Sequence, residues 1–255
     1  MDQTPPTRPE APRAQSARAD QSRQRILTAA AREFSEHGLA GARTDRIAAA
    51  AEVNKALLYY YFESKEKLYL AALEMIAGEV RDRSMEVFLR DATPGERVLR
   101  TALNHFDRIL SQREFQSLMQ QEILRLQKGE SGAMPILVKR VFEPLQAMFQ
   151  SMLREGMASG ELIEADLLQF QLSTLGANVF YFLSAPIWRL VLPIDPFEPG
   201  VLADRRRALV RFLGSALFMD RKHGAEIAER ILADSPMPEF NPEASMYGRK
   251  NERTK

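Results

Sequence analysis

The chain has 255 residues, 45% hydrophobic and 27% charged, the composition of an ordinary soluble globular protein with room for one large or two modest domains. It contains no cysteine, which excludes disulfides, thiolate metal sites and a cysteine nucleophile and fits a cytoplasmic protein. The formal net charge is +1, and the first 67 residues carry 11 Lys and Arg against 9 Asp and Glu, so bulk charge makes no case for nucleic acid.

Residues 1–19 hold four prolines among Ala, Gln and Arg with little to bury, and they read as a disordered arm. Arg8, Arg13 and Arg18 in it are either solvated or able to reach DNA. The polar start lacks the apolar core of a signal peptide. A helix is predicted over 22–37, with Ile26, Leu27, Ala30 and Phe34 inward and Gly38 as its stop. Next come a short helix from Thr44, with Ile47, Ala48 and Ala51 on one face, and a turn containing Glu52 and Val53. A second short helix is capped by Asn54 and faces inward through Leu58 and Phe62. That is the order of a helix-turn-helix.

The outward face of the second short helix carries the functional signal. At about 100° per residue, Tyr60 lies opposite the core direction, Ala56 and Leu57 flank it, and Tyr59 and Tyr61 sit on the shoulders. A solvated helix would place Glu, Lys or Gln there. A small, apolar and phenolic face suits a major groove, where thymine methyls take apolar contacts and phosphates take hydroxyl hydrogen bonds. The alternative is packing against a neighbouring helix, which three successive tyrosines cannot all do.

The pattern Thr44, Ile47-Ala48, Ala51-x-Val53, Leu58-Tyr59-x-x-Phe62 and Ser64-Lys65-Glu66-Lys67-Leu68 resembles the DNA-binding region of the TetR family of bacterial transcriptional regulators. With the preceding helix the resemblance covers residues 21–73. It departs from the family pattern at Glu52, where a turn glycine is usual, and at Tyr61, where histidine is frequent. The resemblance implies an all-α fold, with a three-helix head at 20–66 and a helical effector-binding and dimerisation body at 67–234. A flexible tail would fill 235–255. It also implies that Lys65 contacts phosphate.

Ser64 caps a long helix predicted to about Leu89, with Leu68, Ala72, Met75 and Ile76 on its stripe. Thr93-Pro94-Gly95-Glu96 has the form of a capping box and starts a helix to about Leu110. Further helices are predicted over 114–128 and 135–155, the latter kinked or split by Pro144. Residues 167–188 run for 22 positions without a charge. Their interspersed Gln, Ser, Thr and Asn favour a helix wrapped by others over a membrane span. Pro186 to Gly200 reads as a connector. Helices follow over 201–219, with Leu202, Leu209, Leu213, Ala216 and Leu217 on one face, and over 225–233. No strand pattern of weight appears.

By the resemblance, residues 167–183 and 201–219 would form a four-helix dimer interface, approached closely through Gly176, Ala177, Gly214, Ser215 and Ala216. Two heads about 34–36 Å apart would then read a pseudo-palindromic operator. DNA contacts fall to Thr44, Arg46, Lys55, Ala56, Leu57, Tyr59, Tyr60, Tyr61 and Lys65. An apolar or aromatic small-molecule effector would meet some of Met119, Glu122, Phe149, Met152, Asn178, Tyr181, Phe182 and Trp188; ordinary core packing is the alternative for each. No cofactor or metal is implied: His37, His105 and His223 are scattered, and no P-loop, nucleophile elbow or dinucleotide fingerprint occurs. The function expected is a ligand-released dimeric repressor. The alternatives are an orphan or architectural DNA-binding regulator and a helical enzyme.

Overall fold

The structure, a computed structural model, describes residues 11–130 and 132–239. It is all-α there, and extended pairing among the described residues is confined to one antiparallel bridge, Leu162 to Phe218. The chain divides into two compact units between Ile76 and Ala77.

The first unit contains α1 (Ala11–Gly41), α2 (Thr44–Ala50), α3 (Lys55–Phe62) and the start of α4 (Lys65–Phe88). Helix α1 begins well before the position predicted for it, which corrects part of the disordered arm. Ala11, Ala14, Gln15, Ala17 and Arg18 are good helix formers, and Pro12 falls in the first turn, where its missing N–H costs nothing. Arg18 is exposed, whereas Arg8 and the side chain of Arg13 lie outside the described residues. Gly38 interrupts α1 with φ 66°, the break predicted for it. The core holds Ile26, Ala30 and Phe34 of α1, Ile47 and Ala48 of α2, and Leu58 and Phe62 of α3. Leu68, Ala72 and Leu73 are buried as well, and the Tyr69 ring stands edge-on to Phe34 with centroids 5.0 Å apart. The unit boundary therefore lies inside α4, about three helical turns beyond its start.

The second unit is organised around α5 (Pro94–Ser111), which packs on α6 (Arg113–Gln127), α8 (Glu143–Ala158), α9 (Leu167–Val191), α10 (Pro199–Leu217) and α11 (Arg221–Asp234). Its buried stripe of Val98, Leu99, Ala102, Leu103, Phe106, Ile109 and Leu110 repeats at the 3.6-residue period of an amphipathic helix. The predicted capping box is only half made. Thr93 Oγ1 accepts from the Glu96 amide at 3.3 Å, but Glu96 turns to Arg100 and Arg230 instead of returning to Thr93. Glu161 fills the gap, accepting from the Thr93 hydroxyl and, at 2.8 Å, from the Gly95 amide.

Between α7 (Met134–Leu137) and α8 lies a π turn, Val138–Phe142. Its cause is Pro144, which has no N–H to give and crowds the preceding turn, so the helix widens ahead of it.

Two expectations about α9 are corrected. It runs through Pro186 to Val191, so the connector is shorter than predicted. Ser184 Oγ donates to the Phe180 carbonyl and accepts from Trp188 Nε1 at 2.8 Å, tying the turns on either side of the proline. Nor is the helix wrapped all round within the chain. Phe170, Thr174, Asn178, Phe182 and Ala185 are buried, while Leu168, Leu172, Phe180 (63%), Leu183, Ile187 and Leu190 are exposed. No helix among the described residues is long and apolar enough to cross a membrane.

On α10, Leu202, Leu209 and Leu213 are buried as predicted, but Ala216 is exposed. Gly214 meets Gly224 of α11 within the same chain, so the close approach that its lack of a side chain permits is to α11. The residues after Ser235 up to Glu239 carry no regular structure, and the basic end (Arg249, Lys250, Arg253 and Lys255) lies outside the described residues.

Candidate nucleic-acid interface and body cavity

The turn between α2 and α3 is built by backbone hydrogen bonds from Ala51 N to Ile47 O (2.9 Å) and from Val53 N to Ala48 O (3.0 Å). Glu52 adopts φ 55°, the left-handed conformation that the glycine usual in this turn takes at least cost. Asn54 Oδ1 accepts from the Leu57 amide at 2.7 Å, the N-cap read from the sequence. These bonds fix the roll of α3. Leu58 and Phe62 are buried at 0% and 5%, while Tyr60 stands 79% exposed on the opposite side. Ala56 is exposed, Leu57 half-buried, and Tyr59 and Tyr61 occupy the two shoulders. The Tyr61 ring sits edge-on to Tyr60 with centroids 5.4 Å apart, which holds the outward aromatic in place.

The polar candidates surround this face, each with a partner inside the head. Thr44, at the first position of α2, shares a 3.3 Å hydrogen bond with the Tyr59 hydroxyl, linking the two helices. Lys55 pairs with Asp45 at 2.7 Å. The hydrogen bond and the opposite charge hold the Asp45 carboxyl below its ordinary range and raise Lys55, so both stay charged. Arg46 lies 3.3 Å from His37 Nε2, and Lys65 donates to the Ala40 carbonyl at 3.1 Å. Sequence reasoning missed Asp45 and His37, which no motif marks; they hold the two candidate cations on α2 and α3.

In the second unit a cavity of about 300 Å³ opens among α4, α5, α6, the π turn, α8 and α9. Phe88, Phe115, Phe142 and Phe149 give it aromatic walls, and Met119, Leu145 and Leu175 complete the apolar surface. Asn104, Gln116, Gln146 and Gln171 add amides, and His105 and Arg108 lie on α5 three residues apart, hence on one face. Burial, helped by the neighbouring Arg108 charge, pulls the His105 pKa down to about 3, so the imidazole is neutral. Asn178 Nδ2 donates to the Ala102 carbonyl at 2.8 Å and lies 3.3 Å from His105 Nδ1. A carbonyl can only accept, which sets the amide orientation, makes Nδ1 the acceptor and leaves the ring proton on Nε2.

Of the effector candidates named from sequence, Met119 and Phe149 line this cavity, and Asn178 touches it through His105. The others have structural positions. Glu122 pairs with Arg125 at 2.9 Å and accepts from the Ala133 amide, closing the loop after α6. Met152 and Phe182 belong to the core. Tyr181 donates to the Pro196 carbonyl at 2.7 Å under the Arg205 guanidinium. Trp188 lies on the outer part of α9, bonded to Ser184. Sequence reasoning missed His105 and Arg108, which no motif marks.

Residues 26–72 match the family model described as bacterial regulatory proteins, tetR family. The chain is 33% identical over 106 residues to the HTH-type transcriptional repressor NicS of Pseudomonas putida, which is 42% of this chain and 50% of that protein. It is 54% identical over 50 residues to the HTH-type transcriptional repressor SCO4008 of Streptomyces coelicolor, 20% of this chain and 26% of that one. The matches thus span half the length, or less, of these relatives. Among solved structures, SCO4942 from Streptomyces coelicolor superposes with a TM-score of 0.58 at 28% identity, covering 77% of this chain and 98% of that one. Over residues 26–72 the chain carries the helix-turn-helix region of that family, and its helical fold is that of a solved transcriptional regulator.

Proposed function

We propose that the protein is a dimeric transcriptional repressor of the cytoplasm that binds a pseudo-palindromic operator and is released from it by a small effector held in the body cavity. The observation that carries the DNA reading is Tyr60, 79% exposed beside Ala56 and Leu57 on a helix whose other face is closed by Leu58 and Phe62. An exposed aromatic flanked by Ala56 and Leu57 on so well-fixed a helix is a small outward-facing patch, and a major groove supplies a surface it fits. Lys55, Arg46, Lys65 and the Thr44, Tyr59 and Tyr61 hydroxyls ring it as phosphate or base contacts.

The dimer reading rests on the outer face of α9, with Phe180, Leu183 and Ile187, and on Phe212 of α10 (68% exposed). A contiguous apolar stripe of this kind marks an interface, and a two-fold dimer presents two heads to two half-sites. The effector reading rests on the cavity, which is concave, aromatic and edged by a few polar groups. Helix α4 runs from the head's core to the cavity wall at Val80, Ser84 and Phe88, a continuous element through which occupancy can act on the head.

The test is a duplex selected from random sequence by the purified protein, followed by the double variant Leu57→Ala/Tyr60→Ala. Affinity for the selected duplex should fall roughly tenfold or more, with affinity for random DNA little changed. Equal losses on both would reject base readout by this face.

A further inference from the structure

The chemistry of the cavity points to a charge on what it binds. This rests on the effector reading above and narrows it. None of the described lining residues is Asp or Glu, and Arg108 is the one among them that carries a charge at neutral pH. Its only hydrogen-bond partner among the described residues is the Ser84 hydroxyl, 3.0 Å from Nη1, and its Nε is buried without a partner. The two arginines of the body's core meet carboxylates: Arg206 forms two 2.8 Å bonds to Asp107, and Arg100 bonds Glu96 at 2.7 Å. Arg108, half-buried like Arg205, meets none among the described residues, and unlike Arg205 it stands at the wall of a cavity.

We propose that the cavity binds a small carboxylate with an aromatic or similarly flat apolar body, its anion held by Arg108 and the His105 Nε2–H and its body by Phe88, Phe115 and Phe149.

Four features support it. A half-buried guanidinium with its Nε enclosed and no counter-charge is costly, and a bound carboxylate lowers that cost by accepting in the geometry of the guanidinium fork. Burial lowers the Arg108 pKa only to about 10, so the side chain stays cationic at neutral pH. The tautomer imposed on His105 adds a second donor one helical turn away. The volume, about 300 Å³, lies at the lower end of the roughly 300–1,000 Å³ of small-molecule pockets, which favours a compact ligand. Ser84 extends the argument to regulation: its hydroxyl bonds Arg108 on one side and donates to the Val80 carbonyl on the other, so an anion drawn to Arg108 pulls on the helix that continues into the head.

The experiment titrates the full-length protein, labelled with ¹⁵N-arginine, with benzoate, benzamide and acetate, following the Arg108 Nε–H resonance assigned by its loss in Arg108→Met. Benzoate should shift it saturably. Benzamide, isosteric but neutral, should bind roughly tenfold or more weakly, as expected for the loss of a charge-assisted hydrogen bond. Acetate should also bind at least roughly tenfold more weakly, for want of the buried ring. Absence of a saturable benzoate shift, or equal affinity for benzamide, would overturn the anion assignment, and equal affinity for acetate would overturn the apolar body. Operator binding is measured with the same three compounds. Benzoate bound at Arg108 without any change in operator affinity would sink the effector reading and leave the anion site standing. Release of DNA by benzamide as effective as by benzoate would do the reverse. The benzoate-to-benzamide affinity ratio is also read by isothermal titration calorimetry of the native chain, so it holds even if Arg108→Met fails to fold.

Discussion

Gly214 of α10 and Gly224 of α11 meet backbone against backbone. A Cβ on Gly224 would lie 2.0 Å from the Gly214 carbonyl oxygen, and one on Gly214 would lie 2.5 Å from the Gly224 carbonyl oxygen. A carbonyl held in a helix cannot swing away as a flexible side chain would. Gly224→Ala should therefore force the two helices apart and destabilise the body by about 3 kcal/mol, lowering Tm by roughly 6–12 °C. Gly78→Ala is the control: it lies inside α4 with nothing within 4 Å of the added Cβ, and it should stabilise by about 1 kcal/mol. Scanning calorimetry of both variants separates the steric effect from any general effect of alanine.

Glu52 in the recognition turn has φ 55°, and among the described residues its side chain is held only by a 3.5 Å exposed pair with Arg25. An L-residue in that conformation costs roughly 1–2 kcal/mol, and an exposed pair returns little. Glu52→Gly should stabilise the head against urea by up to about 1 kcal/mol after the entropy of the glycine is counted, raising its urea midpoint. A lower midpoint would mean that the carboxylate does more than the Arg25 contact reveals.

Lys65 stands at the start of α4, where helix N–H groups and an ammonium together suit a phosphate, and its present partner is the Ala40 carbonyl at 3.1 Å. Lys65→Ala should weaken binding to operator and random duplex alike and make the slope of log K against log salt shallower by about one unit. Fluorescence anisotropy across a salt series measures both, and an unchanged slope would assign Lys65 to the Ala40 contact alone.

Phe180 projects from the outer face of α9, with Leu183 and Ile187 further along the same stripe. If two copies meet there, Phe180→Glu buries a charge against its own image, and the dimer should dissociate by a factor of a hundred or more, taken as roughly 3 kcal/mol. Sedimentation velocity reads the outcome. Because Phe180 lies away from the body's core, the circular dichroism of the variant should stay helical, and a dimer of native stability would place the interface elsewhere.

The head was legible in the sequence because its signals are local. Asn54 caps α3, Gly38 breaks α1, and the residues on each side of α3 follow from an angle per residue. The body was legible only in its helices. Pro186 looked like a boundary because proline ends isolated helices, yet Ser184 and Trp188 carry α9 past it. Gly214 suggested a dimer contact because small residues permit close approach, while the partner that uses it is α11 of the same chain. Arg108 and His105 sit on an amphipathic helix whose polar face normally meets water. Only the packing of α6, α8 and α9 turns that part of it toward a cavity, and no spacing along the chain encodes such an arrangement.

The π turn before Pro144 gives one cavity wall a different character from the rest. Phe142, its last residue, faces the cavity from a stretch whose ladder has slipped by one residue, so the wall holds a position that a regular helix would turn away by about 100°. Gaining or losing a single residue here would exchange the side chain presented to the cavity while leaving the remaining walls untouched. The proline thus sets the character of this wall independently of the core around it.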